Sequence, residues 1–151
     1  MTGRPPWLDI ALQQMNLTAF ISGIGGELLD AWPIAKARLP YSEKLIGDPA
    51  TGVVHGGVIT GLLDHTCGLS VMAKLREFVH VATLDLRIDY MRAAKPRVDI
   101  IAECECLRVT HEVAFVRGVA HQGDAADPIA LCTGAFMLLH TTSPIITARH
   151  A

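Results

Sequence analysis

Asp64 is the residue of this chain whose surroundings most demand a chemical explanation. It is the one acid in a long apolar segment running from His55 to about Arg76, HGGVITGLLDHTCGLSVMAKLR. Ionising a carboxylate in low-dielectric surroundings is costly, so acids are rarely placed there unless paired or put to work. A carboxylate so placed suits general-base or nucleophilic chemistry. The same segment opens on His55, Gly56 and Gly57. First-turn amides of a helix carry partial positive charge and point outward, so they can accept a developing oxyanion. Glycines leave the approach to those amides open. The plainer alternative is a solvated helix face at Asp64 and a simple turn at the glycines.

Distance decides how these parts could cooperate. Gly56 and Asp64 are eight residues apart on one helix, about 12 Å at the helical rise, too far for both to touch one reacting carbonyl. A single subunit therefore cannot assemble the pair. Two copies with antiparallel helices bring the Gly56 amide of one near the Asp64 of the other, making two equivalent sites across a two-fold axis.

The elements that must position these residues are legible from periodicity. The segment 55–76 predicts a helix of about five turns, roughly 30 Å long. Its apolar residues cover nearly the whole circumference, which places it inside protein. A first helix is expected over about 6–22, with Leu8, Leu12, Met15 and Ala19 on one face, Pro5 and Pro6 at its start and Gly23, Gly25 and Gly26 at its end. One or two extended pieces are expected over 27–39, then a loop over 41–54. Leu84, Leu86, Ile88 and Tyr90 alternate with Thr83, Asp85, Arg87 and Asp89, the period of a half-buried strand. Similar strands at about 98–109, 112–122 and 129–140, with short links, predict an antiparallel meander. The expectation is an α+β domain: a curved antiparallel sheet of about five strands wrapped around one long central helix. Its core spans about 23–140 and a loose tail follows over 141–151. Such a sheet leaves an edge strand and an apolar surface for a second copy.

Composition agrees with one domain, since 151 residues leave little room for two cores. Half the residues are hydrophobic and 19% are charged, as in a compact globular unit. With 13 basic and 15 acidic residues the net charge is -2, which argues against a nucleic-acid partner. No apolar run approaches the roughly 18 residues of a membrane span, and the N-terminal stretch lacks the continuous apolar core of a secretory signal. A cytoplasmic setting is the expectation. Cys67, Cys104, Cys106 and Cys132 have no CxxC spacing and read as reduced, buried thiols. Cys104 and Cys106 share one face of a strand, but a metal site needs two more convergent ligands, and no metal is expected. His65 reads as a core or interface residue. His80, His111, His121 and His140 show no zinc spacing, and no serine sits in a G-x-S-x-G elbow.

The string VHGGVITGLLDHTCGLS at 54–70, followed by TLDLRIDYMRAA at 83–94, resembles the hotdog-fold acyl-CoA thioesterases of the phenylacetate-pathway (PaaI-like) type and their 4-hydroxybenzoyl-CoA thioesterase relatives. The resemblance covers about 20–140 and includes VAFVRG at 113–118 and ALCTGAF at 130–136. It implies hydrolysis of an aryl or short-to-medium acyl-CoA to free acid and CoA. It makes Asp64 the catalytic base or nucleophile and the Gly56 N–H the group that polarises the carbonyl. His55 would shape that end of the site, and the Thr83 hydroxyl would orient the water or the carboxylate. Relatives often carry an asparagine six residues before the HGG histidine, where this chain has Pro49; Asp48 or Thr51 would have to compensate. Arg92, Lys95 and Arg97, close together at a strand end and turn, are the candidates for the CoA phosphates; as residues alone they also read as a solvated turn. Leu63, Cys67 and Met72 are candidate walls of the acyl pocket. No cofactor is implied, CoA being part of the substrate. The assembly implied is a homodimer or, as a dimer of dimers, a homotetramer. The rival readings are a non-catalytic acyl-CoA sensor or carrier of the same fold and a hotdog hydratase using Asp48 and His55.

Overall fold

The apolar segment after His55 forms a 20-residue helix, and the rest of the chain is arranged around it. The computed structural model describes residues 5–139, so the tail 141–151 lies outside the described residues. In chain order the elements are α1 (Pro6–Asn16), α2 (Ala19–Ile24), β1 (Glu27–Asp30), β2 (Ala35–Leu39), a 3-10 turn (Glu43–Leu45), β3 (Ile46–Asp48), β4 (Val53–Val54), α3 (Gly56–Leu75), β5 (His80–Tyr90), β6 (Ile100–Val109), β7 (Val113–His121) and β8 (Ala130–Leu139). Six strands form one antiparallel sheet in the order β1-β2-β6-β7-β8-β5, and β3 and β4 make a small separate hairpin. This is the α+β hotdog architecture, with six strands rather than about five because 27–39 contributes two.

Residue size explains how the helix fits. The face of the sheet turned towards α3 carries small residues, among them Ala35, Ala37, Ala102, Ala114, Ala120 and Ala130, all buried. The helix supplies the bulk: Ile59, Leu62, Leu63, Leu69 and Val71 are also buried, each such large side chain contributing roughly 1.5–3 kcal/mol. Two polar residues accompany them. The Thr66 and Ser70 hydroxyls donate to Leu62 O and Cys67 O, each at 2.6 Å, so neither is buried unsatisfied.

The strict alternation expected along β5 is broken. A bulge at Leu84, between Thr83 and Asp85, interrupts the pairing with β8, and Leu84 is half exposed rather than inward. An extra residue in one strand switches the face presented by everything beyond it. Thr83 lies opposite the buried Phe136 and so faces inward, while beyond the bulge Leu86, Ile88 and Tyr90 take the inward face. Strict alternation would have put Thr83 outside.

The single N-terminal helix expected over 6–22 is two. The α1 helix stops at Leu17, Thr18 donates its hydroxyl to Met15 O at 2.8 Å, and α2 starts afresh from Thr18 in extended conformation. Leu8, Leu12 and Met15 are buried as expected, but Ala19 falls beyond the break and is exposed. The pair packs over the outer side of α3, with the Phe20 ring on Gly61. Among the described residues no helix is long and apolar enough to cross a membrane. Among the described residues the 11-residue β5 lies at one border of the sheet and pairs only with β8, so within them its other side is a template for strand addition.

His65 is where the N-terminal helices meet α3, its Nε2 lying 3.5 Å from Thr18 Oγ1. Burial pushes its pKa below the usual 6.5, against smaller opposing effects from the Met15 carbonyl and Asp64. A histidine so held is neutral in the folded protein and takes a proton more readily once unfolded. Stability is unaffected above about pH 6.5 and falls as pH drops through the window between the unfolded and the lower folded value. We expect Tm to decline on acidification from pH 7 and the His65→Gln variant to decline less steeply, as followed by thermal melts; parallel curves would contradict this.

Candidate active site

The start of α3 is set up by its own cap. His55 precedes the helix in extended conformation, and its Nδ1 accepts the Gly57 N–H at 2.9 Å. The Val58 N–H donates to His55 O at 3.0 Å, and His55 N–H donates to Leu45 O at 2.8 Å. Gly47 permits this contact, because a Cβ there would lie 2.8 Å from the His55 Cα. These bonds consume the second and third amides of the helix. The Gly56 N–H has no acceptor among the described residues and keeps the positive end of the helix available.

Tyr90 fastens the same turn from the sheet. Its hydroxyl donates to Gly56 O at 2.5 Å and bonds the Thr60 hydroxyl at 2.8 Å. The Gly56–Gly57 peptide is thus held at both ends, the carbonyl by Tyr90 and the N–H by His55. A cavity of about 340 Å³ opens here, lined among others by Val53, Gly56, Ile59, Tyr90, Met91 and Arg92.

Asp64 lies two turns further along α3, half-buried. Thr83 donates its hydroxyl to Asp64 Oδ1 at 2.7 Å, the contact that the Leu84 bulge makes possible. The second carboxylate oxygen has no partner among the described residues. Both side chains line a larger cavity of about 470 Å³ with Met15, Gly68, Met72, Phe78, Val81 and Phe136, and with His65 and His80 beside them. Asp64, Gly68 and Met72 are spaced four residues apart and form one stripe of the helix. Leu63 and Cys67, expected as pocket walls with Met72, do not line this cavity: they occupy the neighbouring stripe, fully buried against the sheet.

The two cavities share no lining residue. One protomer thus carries both halves of the chemistry that the sequence suggested, at separate places on one rod. The 91–99 connection between β5 and β6 runs beside the Gly56 cavity. There the Arg92 guanidinium is tied to Asp127, with Nε 3.0 Å from Oδ1 and Nη2 3.1 Å from the carbonyl. Lys95 and Arg97 are exposed, and their side chains have no partner among the described residues. Asp48 accepts from Ala50 N–H at 3.0 Å and from the Thr51 hydroxyl at 2.8 Å. The Thr51 bond, with smaller backbone ones, holds the Asp48 carboxyl below the usual range. That turn closes on itself, and neither side chain bonds His55.

Reasoning from sequence missed three contributors. Tyr90 sits on the inward side of a strand that alternation identified, so its signal was present without a partner. His80 and Met15 reach the Asp64 cavity through tertiary packing, for which a single sequence carries no signal.

Residues 51–129 match the model of the thioesterase superfamily. Over 109 residues the chain is 38% identical to a protein of Halobacterium salinarum named as an esterase, covering 67% of this chain and 71% of that one. It is 29% identical over 125 residues to the medium/long-chain acyl-CoA thioesterase YigI of Salmonella typhimurium, covering 73% and 79%. A crystal structure of a Pseudomonas aeruginosa protein superposes with a TM-score of 0.79 at 44% identity, covering 89% of this chain and all of that one. The hotdog fold, the helix carrying HGG and Asp64, and these matches agree: the chain belongs to the thioesterase superfamily and is a thioester hydrolase.

Proposed function

We propose that the chain hydrolyses an aryl or short-to-medium acyl-CoA in a site completed by two protomers, with Asp64 of one facing the Gly56 N–H of the other. The separation of the two half-sites into cavities with no common residue carries this reading. Antiparallel pairing of two α3 helices superposes the halves twice, and the open side of β5 offers the edge along which the sheets can join. A homodimer is the minimum, and a dimer of dimers, working in the cytoplasm where its thiols stay reduced, fits the same geometry.

The chemistry follows from the donors in place. The thioester carbonyl oxygen accepts from Gly56 N–H, and the negative charge that develops on it is met by the positive end of α3, an arrangement worth roughly 2.7–4 kcal/mol per donor. With Asp64 as base, its free oxygen takes a proton from water, the water oxygen bonds to the carbonyl carbon, and collapse expels the CoA thiolate, which is then protonated. With Asp64 as nucleophile, the carboxylate bonds that carbon, the thiolate leaves, and water cleaves the resulting anhydride. Thr83 orients the carboxylate in either case, and His55 holds the oxyanion turn. The acyl group occupies the cavity lined by Met72, Val81 and Phe136. The CoA phosphates lie towards Lys95, Arg97 and the exposed part of Arg92.

Asp64→Asn should lower kcat by about a hundredfold or more while Tm and oligomeric state are kept, measured by thiol release from acyl-CoA; near-normal turnover would remove Asp64 from the reaction. Mixing inactive Asp64→Asn with inactive Gly56→Val should restore roughly a quarter of normal activity after subunit exchange, since half of the dimers are then mixed and each regains one intact site. No recovery between exchanging subunits would place the site within one protomer. Tyr90→Phe should lower kcat about tenfold with KM little changed, because the oxyanion turn loosens without loss of a substrate contact. Thr60→Ala, which leaves the Tyr90–Gly56 bond in place, should not.

A further inference from the structure

We propose that Cys67, Cys104 and Cys132 form a binding site for one soft monovalent metal ion, copper(I), between α3 and the sheet. The placement comes from strand register. Cys104 on β6 pairs with Gly118 on β7, which pairs with Cys132 on β8, so the three lie in one row on the inward face. The central residue of that row has no side chain, and a Cβ on Gly118 would lie 2.4 Å from Cys104 Sγ and 2.9 Å from Cys132 Sγ. The two outer thiols therefore lean over the glycine towards each other, and Cys67 descends onto them from the helix, its sulfur 3.7 Å from that of Cys132. Glycine in the middle of a strand weakens it, and here the space it leaves is filled by sulfur.

All three sulfurs lie within 4.8 Å of one another. The centre of such a triangle is roughly 2.1–2.8 Å from each corner, a range that contains the ~2.3 Å of a metal–thiolate bond. Three soft donors in an apolar interior, with no imidazole or carboxylate among them, select copper(I) over harder ions. Zinc demands a fourth ligand, and Leu63 O, which accepts from the Cys104 thiol, lies 3.9 Å from its sulfur, well beyond a coordination bond. Binding releases thiol protons to solvent. Cys106 faces the same side of β6 but is not one of the three. The inference is independent of the thioesterase reading.

The test is anaerobic transfer of copper(I) from a chromogenic chelator of known affinity to the full chain, both folded and while refolding, since buried thiols are reached only by local opening. One copper per chain is expected, unchanged in Cys106→Ser and weakened at least a hundredfold in Cys67→Ala/Cys132→Ala, with X-ray absorption showing three sulfur neighbours. Failure to take copper from the chelator by either route overturns the proposal. So does stoichiometric binding that survives the double variant, or a first shell of nitrogen and oxygen; this last readout uses the unaltered chain and does not depend on the variant folding.

Discussion

A straight α-helix cannot bend its own first turn back onto a side chain two turns later, and the organisation of this protein follows from that constraint. The helix start and the carboxylate are kept apart by the rise of the backbone, about 12 Å over eight residues. Folding the rest of the chain more tightly cannot close that gap. The sheet instead holds the helix still, with its beginning and its middle each opening on a cavity of its own. In the proposed assembly a second copy closes that gap, because one two-fold operation matches both halves and leaves neither over.

Rigidity of the rod comes from the division of size between the layers. Alanines on the sheet allow leucines on the helix to fill the space between them, and the helix touches β2, β5, β6 and β7. A packed interior transmits position faithfully, since small displacements meet repulsion at once. Both half-sites are anchored to the same border strand: β5 holds Asp64 through Thr83 and holds the Gly56 carbonyl through Tyr90. The spacing of the two ends of the site is therefore set twice, by the helix and by the strand that runs beside it.

Much of this was legible in the residues. The apolar circumference of 55–76 located the central helix to within a residue, and period-two alternation located the four long strands. Turn-forming residues marked the loop at 41–54, although a short hairpin lies within it. What failed, failed for local reasons. Alternation has no way to announce a bulge, so Leu84 was expected inward and Thr83 outward, and the faces are reversed. The break at Leu17–Thr18 depends on a hydroxyl satisfying a last-turn carbonyl, a competition that an apolar stripe continuing through Ala19 conceals. Leu63 and Cys67 belong to a stripe adjoining that of Asp64, a difference of about 100° that apolar type alone does not resolve. The convergence of three cysteines from α3, β6 and β8 is purely a matter of strand register and could not be read from their spacing.

The hydrogen-bond inventory at the helix start leaves one amide rather than several for the proposed oxyanion role. A helix opens with four N–H groups lacking partners in the helix itself. Here His55 takes two of them, through its ring nitrogen and its carbonyl, and that leaves Gly56 as the outermost donor. An imidazole in this role differs from a serine or aspartate cap in being bulky and in being fixed by a backbone bond to Leu45 and by contact with Gly47. Relaxing the cap would free Gly57 to compete for the same oxygen and would let the turn fray. The tyrosine on the carbonyl side opposes that fraying. Preorganisation of a single donor, with the next peptide of the turn fixed from both sides before substrate arrives, would let a backbone amide favour the developing charge over the ground-state carbonyl.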